Sequence, residues 1–155
     1  MVESKRAQKS RQVFLDRSLV LHLLLSGVAS SVKHMSDYQR AVVARTIGNA
    51  IYDLPCVWSG WQSQGLLDAK AVNPKQKKCQ EHYIPRQVAG AQIVSHMLRY
   101  GGISLSFLRA RLDIYRQVHW TTSEENIRLV AFQKVGVFVD SHTAYTQAGI
   151  TLIKL

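Results

Sequence analysis

The sequence predicts a mainly helical α+β fold. Three observations lead there: long stretches with apolar residues at helical spacing, Ser or Thr caps at the head of several of them, and two short stretches of strand composition. A chain of 155 residues is most economically one domain that buries a core without staples. Its 46% apolar and 8% aromatic residues form a folding composition and not a disordered one.

Met1 to Gln12 is polar and carries Lys5, Arg6, Lys9 and Arg11, which reads as a flexible basic arm. Phe14, Leu15, Val20, Leu21, Leu24, Leu25 and Val28 then recur at helical spacing, so a buried helix is expected from about 12 to 32. Ser36 and Gln39 make a capping box. Behind them Tyr38, Val42, Val43, Ile47, Ile51 and Leu54 are expected on one buried face of a helix ending near Pro55. Trp58, Gly60, Trp61, Gly65 and Asn73-Pro74 mark a loop or irregular connection. Its two tryptophans stack on bases or cap a core, the core being the commoner use.

Further on, Val88, Ile93, Val94, Met97 and Leu98 predict a helix stopped by Gly101-Gly102. Ser104 caps the next one, which holds Leu105, Leu108, Leu112 and Tyr115 and carries Arg109, Arg111 and Arg116 on its other faces. Val118 to Thr121 has strand composition, and Thr122 with Glu125 forms a second capping box heading a helix from about 123 to 133. Val135 to Val139 reads as a strand or extended tail. Thr143 to Ile150 reads as a short helix or turn, with Tyr145 and Ile150 docking the C-terminus.

Twenty Lys and Arg stand against ten Asp and Glu, a formal charge of +10. That excess points to a polyanionic partner, and to nucleic acid before membrane. No run approaches the ~20 apolar residues of a membrane span, and the apolar stretch Leu19 to Leu25 is too short for a signal peptide and is broken by His22. A cytoplasmic protein is expected. Cys56 and Cys79 form no C-x-x-C pair, so no zinc site is expected, and a disulfide between them stays open.

The chemistry concentrates in two segments. Lys77-Lys78-Cys79-Gln80-Glu81-His82-Tyr83-Ile84-Pro85-Arg86 reads as a short strand bearing a carboxylate and an imidazole, closed by Pro85. Thr121-Thr122-Ser123-Glu124-Glu125-Asn126-Ile127-Arg128-Leu129 reads as a strand end running into a helix, with Asn126 on its first full turn. A carboxylate oxygen, an amide oxygen and a histidine base on a basic protein are what metal-assisted phosphodiester cleavage needs.

Glu81-His82-x-x-Pro85-Arg86, an insertion, and Thr122-x-Glu124-Glu125-Asn126-x-x-Leu129 resemble the ββα-metal motif of the HNH nuclease superfamily, most nearly that of small phage- or intron-encoded homing endonucleases. The resemblance covers about 75 to 133. It implies a ββα-metal motif with a helical insertion between its two strands, and a Mg²⁺-dependent DNA endonuclease in which Mn²⁺ substitutes. Glu81 and Asn126 would be the metal ligands and His82 the general base, with Arg86 clamping a phosphate oxygen. Under it the chain divides into a basic arm (1–12) and a single nuclease domain (13–155). That domain has a helical half (13–74), a ββα-metal half (75–135) and a tail (136–155). Lys77, Lys78, Arg109, Arg111, Arg116 and Arg128 would contact DNA. Cutting both strands of a duplex calls for a homodimer, for which the apolar N-terminal helices offer a surface, or for two sequential nicks. A bacterial or phage-infected cell is the expected setting.

Two other readings stay open. Asp68-Ala69-Lys70 with Asp53 is a D-x-K fragment of the restriction-nuclease kind. The chain is otherwise a non-catalytic DNA binder that inserts its arginine helix, about 105 to 116, into the major groove. His22, His34, His96 and His119 are assigned to packing or surface, and His142 reads as a surface histidine or as a substitute for the final histidine of the motif.

Overall fold

A computed structural model describes residues 4–135 and 140–155. The architecture is mixed α and β, mainly helical, as expected. By packing, the chain divides into two compact units. Residues up to Pro55 join Arg86–Arg116 in a helical unit, and Cys56–Pro85 joins Gln117–Leu155 in a sheet unit. No helix among the described residues is long and apolar enough to cross a membrane.

The helical unit contains α1 (Lys5–Val28), a 3-10 turn (Val32–His34), α2 (Asp37–Tyr52), α4 (Arg86–Tyr100) and α5 (Leu105–Tyr115). Helix α1 is capped by the Ser4 side chain, so the basic residues expected in a flexible arm lie on its first turns. It buries only Phe14, Ser18, Leu21 and Leu25, one narrow stripe. Val20 and Leu24, expected inside, are 57% and 64% exposed beside Leu19 and Leu23. An apolar run that covers most of a helix's circumference does not say which arc faces the core.

Helix α2 has the predicted capping box of Ser36 and Gln39. It buries Ile47, Gly48 and Ile51, whereas Tyr38 and Val42 project outward. It packs on α4 so closely that a methyl group on Gly90 would overlap the Ala44 carbonyl oxygen. Ser104 caps α5 as predicted.

The sheet unit is built on β1 (Val57–Ser63), β2 (Cys79–His82), β3 (Gln117–Thr121) and β4 (Leu152–Lys154), in the order β2-β3-β1-β4. Strands β1 and β3 run parallel; β2 is antiparallel to β3, and β4 to β1. The helices are α3 (Gln64–Val72), α6 (Ser123–Val135) and α7 (Ser141–Gln147). The stretch read as an irregular loop between Pro55 and Pro74 is therefore strand β1 and helix α3. Its glycines and tryptophans hid a strand whose identity comes from pairing with β3. Leu129, Tyr145, Ala148 and Ile150 form a core cluster, and Tyr145 and Ile150 dock the C-terminal segment as expected. Of the extended stretch expected from Val135 to Val139, Val135 ends α6 and the rest lies outside the described residues. Both cysteines are free thiols, so no disulfide joins them.

Candidate functional site

The two segments singled out by their residues meet in the sheet unit. Strand β2 lies antiparallel along β3, and the chain passes from β3 directly into α6, which packs against β2. Between the two strands in sequence stand α4 and α5, both in the helical unit. This is two antiparallel strands followed by a helix, with a helical insertion between the strands.

Glu81 and His82 are both buried, at 7% and 6% exposure. Although adjacent in sequence they do not share a face, because side chains alternate along a strand. Glu81 pairs across the ladder with His119, and His82 with Val118. On the Glu81 side the His119 ring meets Tyr83 edge-on at 5.1 Å and Tyr145 of α7 edge-on at 5.3 Å. The Ser59 hydroxyl lies 2.7 Å from His119 Nδ1. Burial depresses the His119 pKa to about 4, which leaves a neutral ring. Burial also lifts the Tyr145 phenol above its ordinary range, and the nearby charges of Glu81, Glu125 and Cys79 push it further the same way.

The start of α6 is fixed by its own residues. The Thr122 hydroxyl accepts from the Glu125 backbone N–H, and the Glu125 carboxylate accepts from the Thr122 N–H at 2.9 Å. This is the predicted capping box. The same carboxylate accepts from the Ser63 hydroxyl at 2.5 Å, while Ser63 caps α3 by accepting from Leu66 N–H. One buried carboxylate thus ties the heads of two helices, where their dipoles favour negative charge. A Cβ at Gly65 would collide with its Oε1, so a larger residue there would have to displace this carboxylate. Glu125 is committed to structure. Its neighbour Asn126 is not: Asn126 Oδ1 is buried with no hydrogen-bond partner.

Among the described residues the other buried side-chain polar atoms without a partner are His119 Nε2, Trp120 Nε1, Thr121 Oγ1 and Tyr145 OH. All five lie on β3, α6 and α7. Each such atom costs about 1–3 kcal/mol when left unpaired; His119 Nε2 and Thr121 Oγ1 share one face of β3, whereas Trp120 Nε1 is on the other. The described residues contain no group of three or more His, Cys, Asp or Glu side chains able to hold a metal ion. A cation here would rest on the Glu81 carboxylate, the Asn126 amide oxygen and water. Those are hard oxygen donors of the kind magnesium takes, and magnesium keeps several waters. The donor set fits.

The remaining candidates are distributed as follows. Lys77, Lys78 and Arg128 are exposed on the sheet unit. Arg86 opens α4 in the helical unit, its guanidinium 4.9 Å from the Tyr52 ring. The arginines of α5 are not on a free solvated face. Arg109 donates to the Ser18 hydroxyl and the Leu15 carbonyl, and Arg111 to Tyr115 and Gln92. Arg116 bonds Asp113 and the Pro55 carbonyl and covers the Phe14 ring at 4.2 Å. Their donors serve the helical unit itself, which removes the support for α5 as a groove-reading helix. Asp68 and Lys70 lie two apart on helix α3, a spacing that points them to different sides. Asp53 caps α2 in the other unit.

Sequence reasoning had His119 in packing or on the surface and Tyr145 docking the C-terminus, but it did not set His119 opposite Glu81 and it missed Ser63. Only strand alternation through the β2–β3 register would have set His119 there, and nothing local marks Ser63. Comparison with known proteins finds no matching family model, no matching curated protein and no matching solved structure.

Proposed function

We propose that this chain is a divalent-metal-dependent DNA endonuclease of the ββα-metal kind, site-specific in the manner of homing enzymes. The observation that carries the reading is the unpartnered, buried amide oxygen of Asn126, on the first turn of the helix packed against the strand that holds Glu81. A buried acceptor without a partner is a costly arrangement that folding alone does not reward.

Glu81 and Asn126 would hold a magnesium or manganese ion, whose charge would stabilise the phosphate and the leaving 3′ oxygen. His82 would take the proton of the water that attacks phosphorus, the role that the resemblance to the ββα-metal motif implies for it. Lys77, Lys78 and Arg128 meet the DNA backbone, with an affinity that falls steeply with salt.

Cleaving both strands requires two such centres, and a second copy of the chain supplies the other. The exposed Leu19, Val20, Leu23 and Leu24 of α1 form the self-association surface. Light scattering reads this directly, and a monomer would make the activity nicking.

The test is cleavage of supercoiled plasmid with Mg²⁺ or Mn²⁺. His82→Ala should slow cleavage by about 10²–10⁴-fold while DNA affinity in EDTA stays unchanged. Undiminished cleavage in that variant refutes the assigned base. Absence of cleavage with every divalent ion makes the protein a non-catalytic binder.

A further inference from the structure

The sheet unit carries a second feature, on the other side of β3. Trp120 alternates with His119 and Thr121 along that strand and so projects from the face opposite them. There its ring stacks on Trp58 of β1, with centroids 4.3 Å apart and planes 8° from parallel. The Lys78 ammonium lies 3.1 Å from the Trp120 centroid and that of Lys70 lies 5.6 Å away. Trp58 and Lys78 are each too near the ring to share one face of it, so Trp120 is closed between them. Trp58 is the outer member of the stack. It keeps 38% of its surface exposed, and its indole N–H donates to the Trp61 carbonyl at 3.0 Å, which fixes the ring plane.

Packing alone is a poor account of this arrangement. Two ammonium groups lie over one indole, and the pKa of Lys78, an exposed residue, is lowered by partial desolvation first and the charge of Lys70 second. Lys75 and Lys77 add exposed positive charge on the same lead-in to β2. A partly exposed indole stacked on a second ring, with two ammonium groups at that second ring, suits a ligand that combines a flat π system with negative charge.

We propose that Trp58, backed by Trp120 and flanked by Lys70 and Lys78, is a stacking platform for an unpaired nucleobase, with the lysines meeting phosphates of the same strand. The inference rests on nucleic acid being the partner. A paired base is already stacked above and below and offers no face, so the occupant is single-stranded: an end, a loop or an opened base. Stacking of this kind tolerates any sequence, because every base has a π face.

The test is fluorescence anisotropy with the full chain in EDTA. The probes are labelled oligothymidylate, an abasic strand of equal length, oligouridylate and a DNA duplex. Trp58→Ala should weaken oligothymidylate binding by about 5- to 150-fold, the range expected for one stacked base, and Trp58→Tyr should restore most of it. The abasic strand should bind the unaltered protein more weakly and ignore Trp58→Ala, as should the duplex. Thymidylate and uridylate strands should both bind, because stacking tolerates either base. Equal binding of oligothymidylate by Trp58→Ala and the unaltered protein overturns the platform. So does an equal loss for the abasic strand. Metal-dependent duplex cleavage that persists in either case leaves the endonuclease reading standing. Failure to bind any strand or duplex sinks both.

Discussion

Replacing Asn126 by alanine should move stability and function in opposite directions. The buried Oδ1 has no hydrogen-bond partner, a state that costs about 1–3 kcal/mol. Alanine removes that cost and gains up to about 0.5 kcal/mol of helix propensity, against roughly 1 kcal/mol for the space it leaves. The metal-free variant should therefore be as stable as the parent or more so, by up to about 2 kcal/mol. For a chain this long, each kcal/mol shifts the melting temperature by about 2–4 °C. Thermal unfolding in EDTA should thus show no loss, or a rise of several degrees. Magnesium should then act only on the parent. At about 10 mM ion and a dissociation constant on the order of 1 mM, binding adds about 1.4 kcal/mol to the folded state. The variant should lack that increment together with cleavage. A variant that melts well below the parent in EDTA would show that Oδ1 has a structural partner. A variant that keeps the full magnesium shift would show that the amide does not hold the ion. Either result refutes the reasoning.

His119 should make the fold acid-sensitive. Its folded-state pKa near 4 lies below the unfolded value near ~6.5, so the unfolded chain takes up the proton first as pH falls. The stability it contributes is complete above about pH 6.5 and drains away towards pH 4, by on the order of 3 kcal/mol in total. Urea midpoints between pH 7.5 and 4.5 should show this slope, and His119→Gln should flatten it; an unchanged slope assigns the sensitivity elsewhere. Gly90→Ala should destabilise although alanine is the better helix former by about 1 kcal/mol, because the added methyl overlaps the backbone carbonyl of Ala44. A net loss of about 1–3 kcal/mol in urea unfolding is expected, and a gain would mean that α2 and α4 sit further apart.

The helix starts were legible in the sequence because capping is local. Ser36 with Gln39, Ser104, and Thr122 with Glu125 each carry their partner within three residues, and all three sit where expected. The strands around Glu81 and His119 were legible from their composition. Charge and apolar content pointed to a folded, basic protein, and periodicity with caps to its α+β class. What the residues could not disclose was everything that depends on a distant partner. Trp58 to Ser63 is a strand because β3 and β4 flank it. Val20 and Leu24 are exposed because the core touches a single stripe of α1. The α5 arginines are occupied because Ser18, Leu15 and Pro55 come to meet them. The register of β2 on β3 sets Glu81 against His119 and turns His82 away. Ser63, sixty-two residues before Glu125, reaches it only in the folded unit. Caps and periodicity are properties of neighbouring residues, whereas burial and pairing belong to surfaces that exist only once distant segments have met.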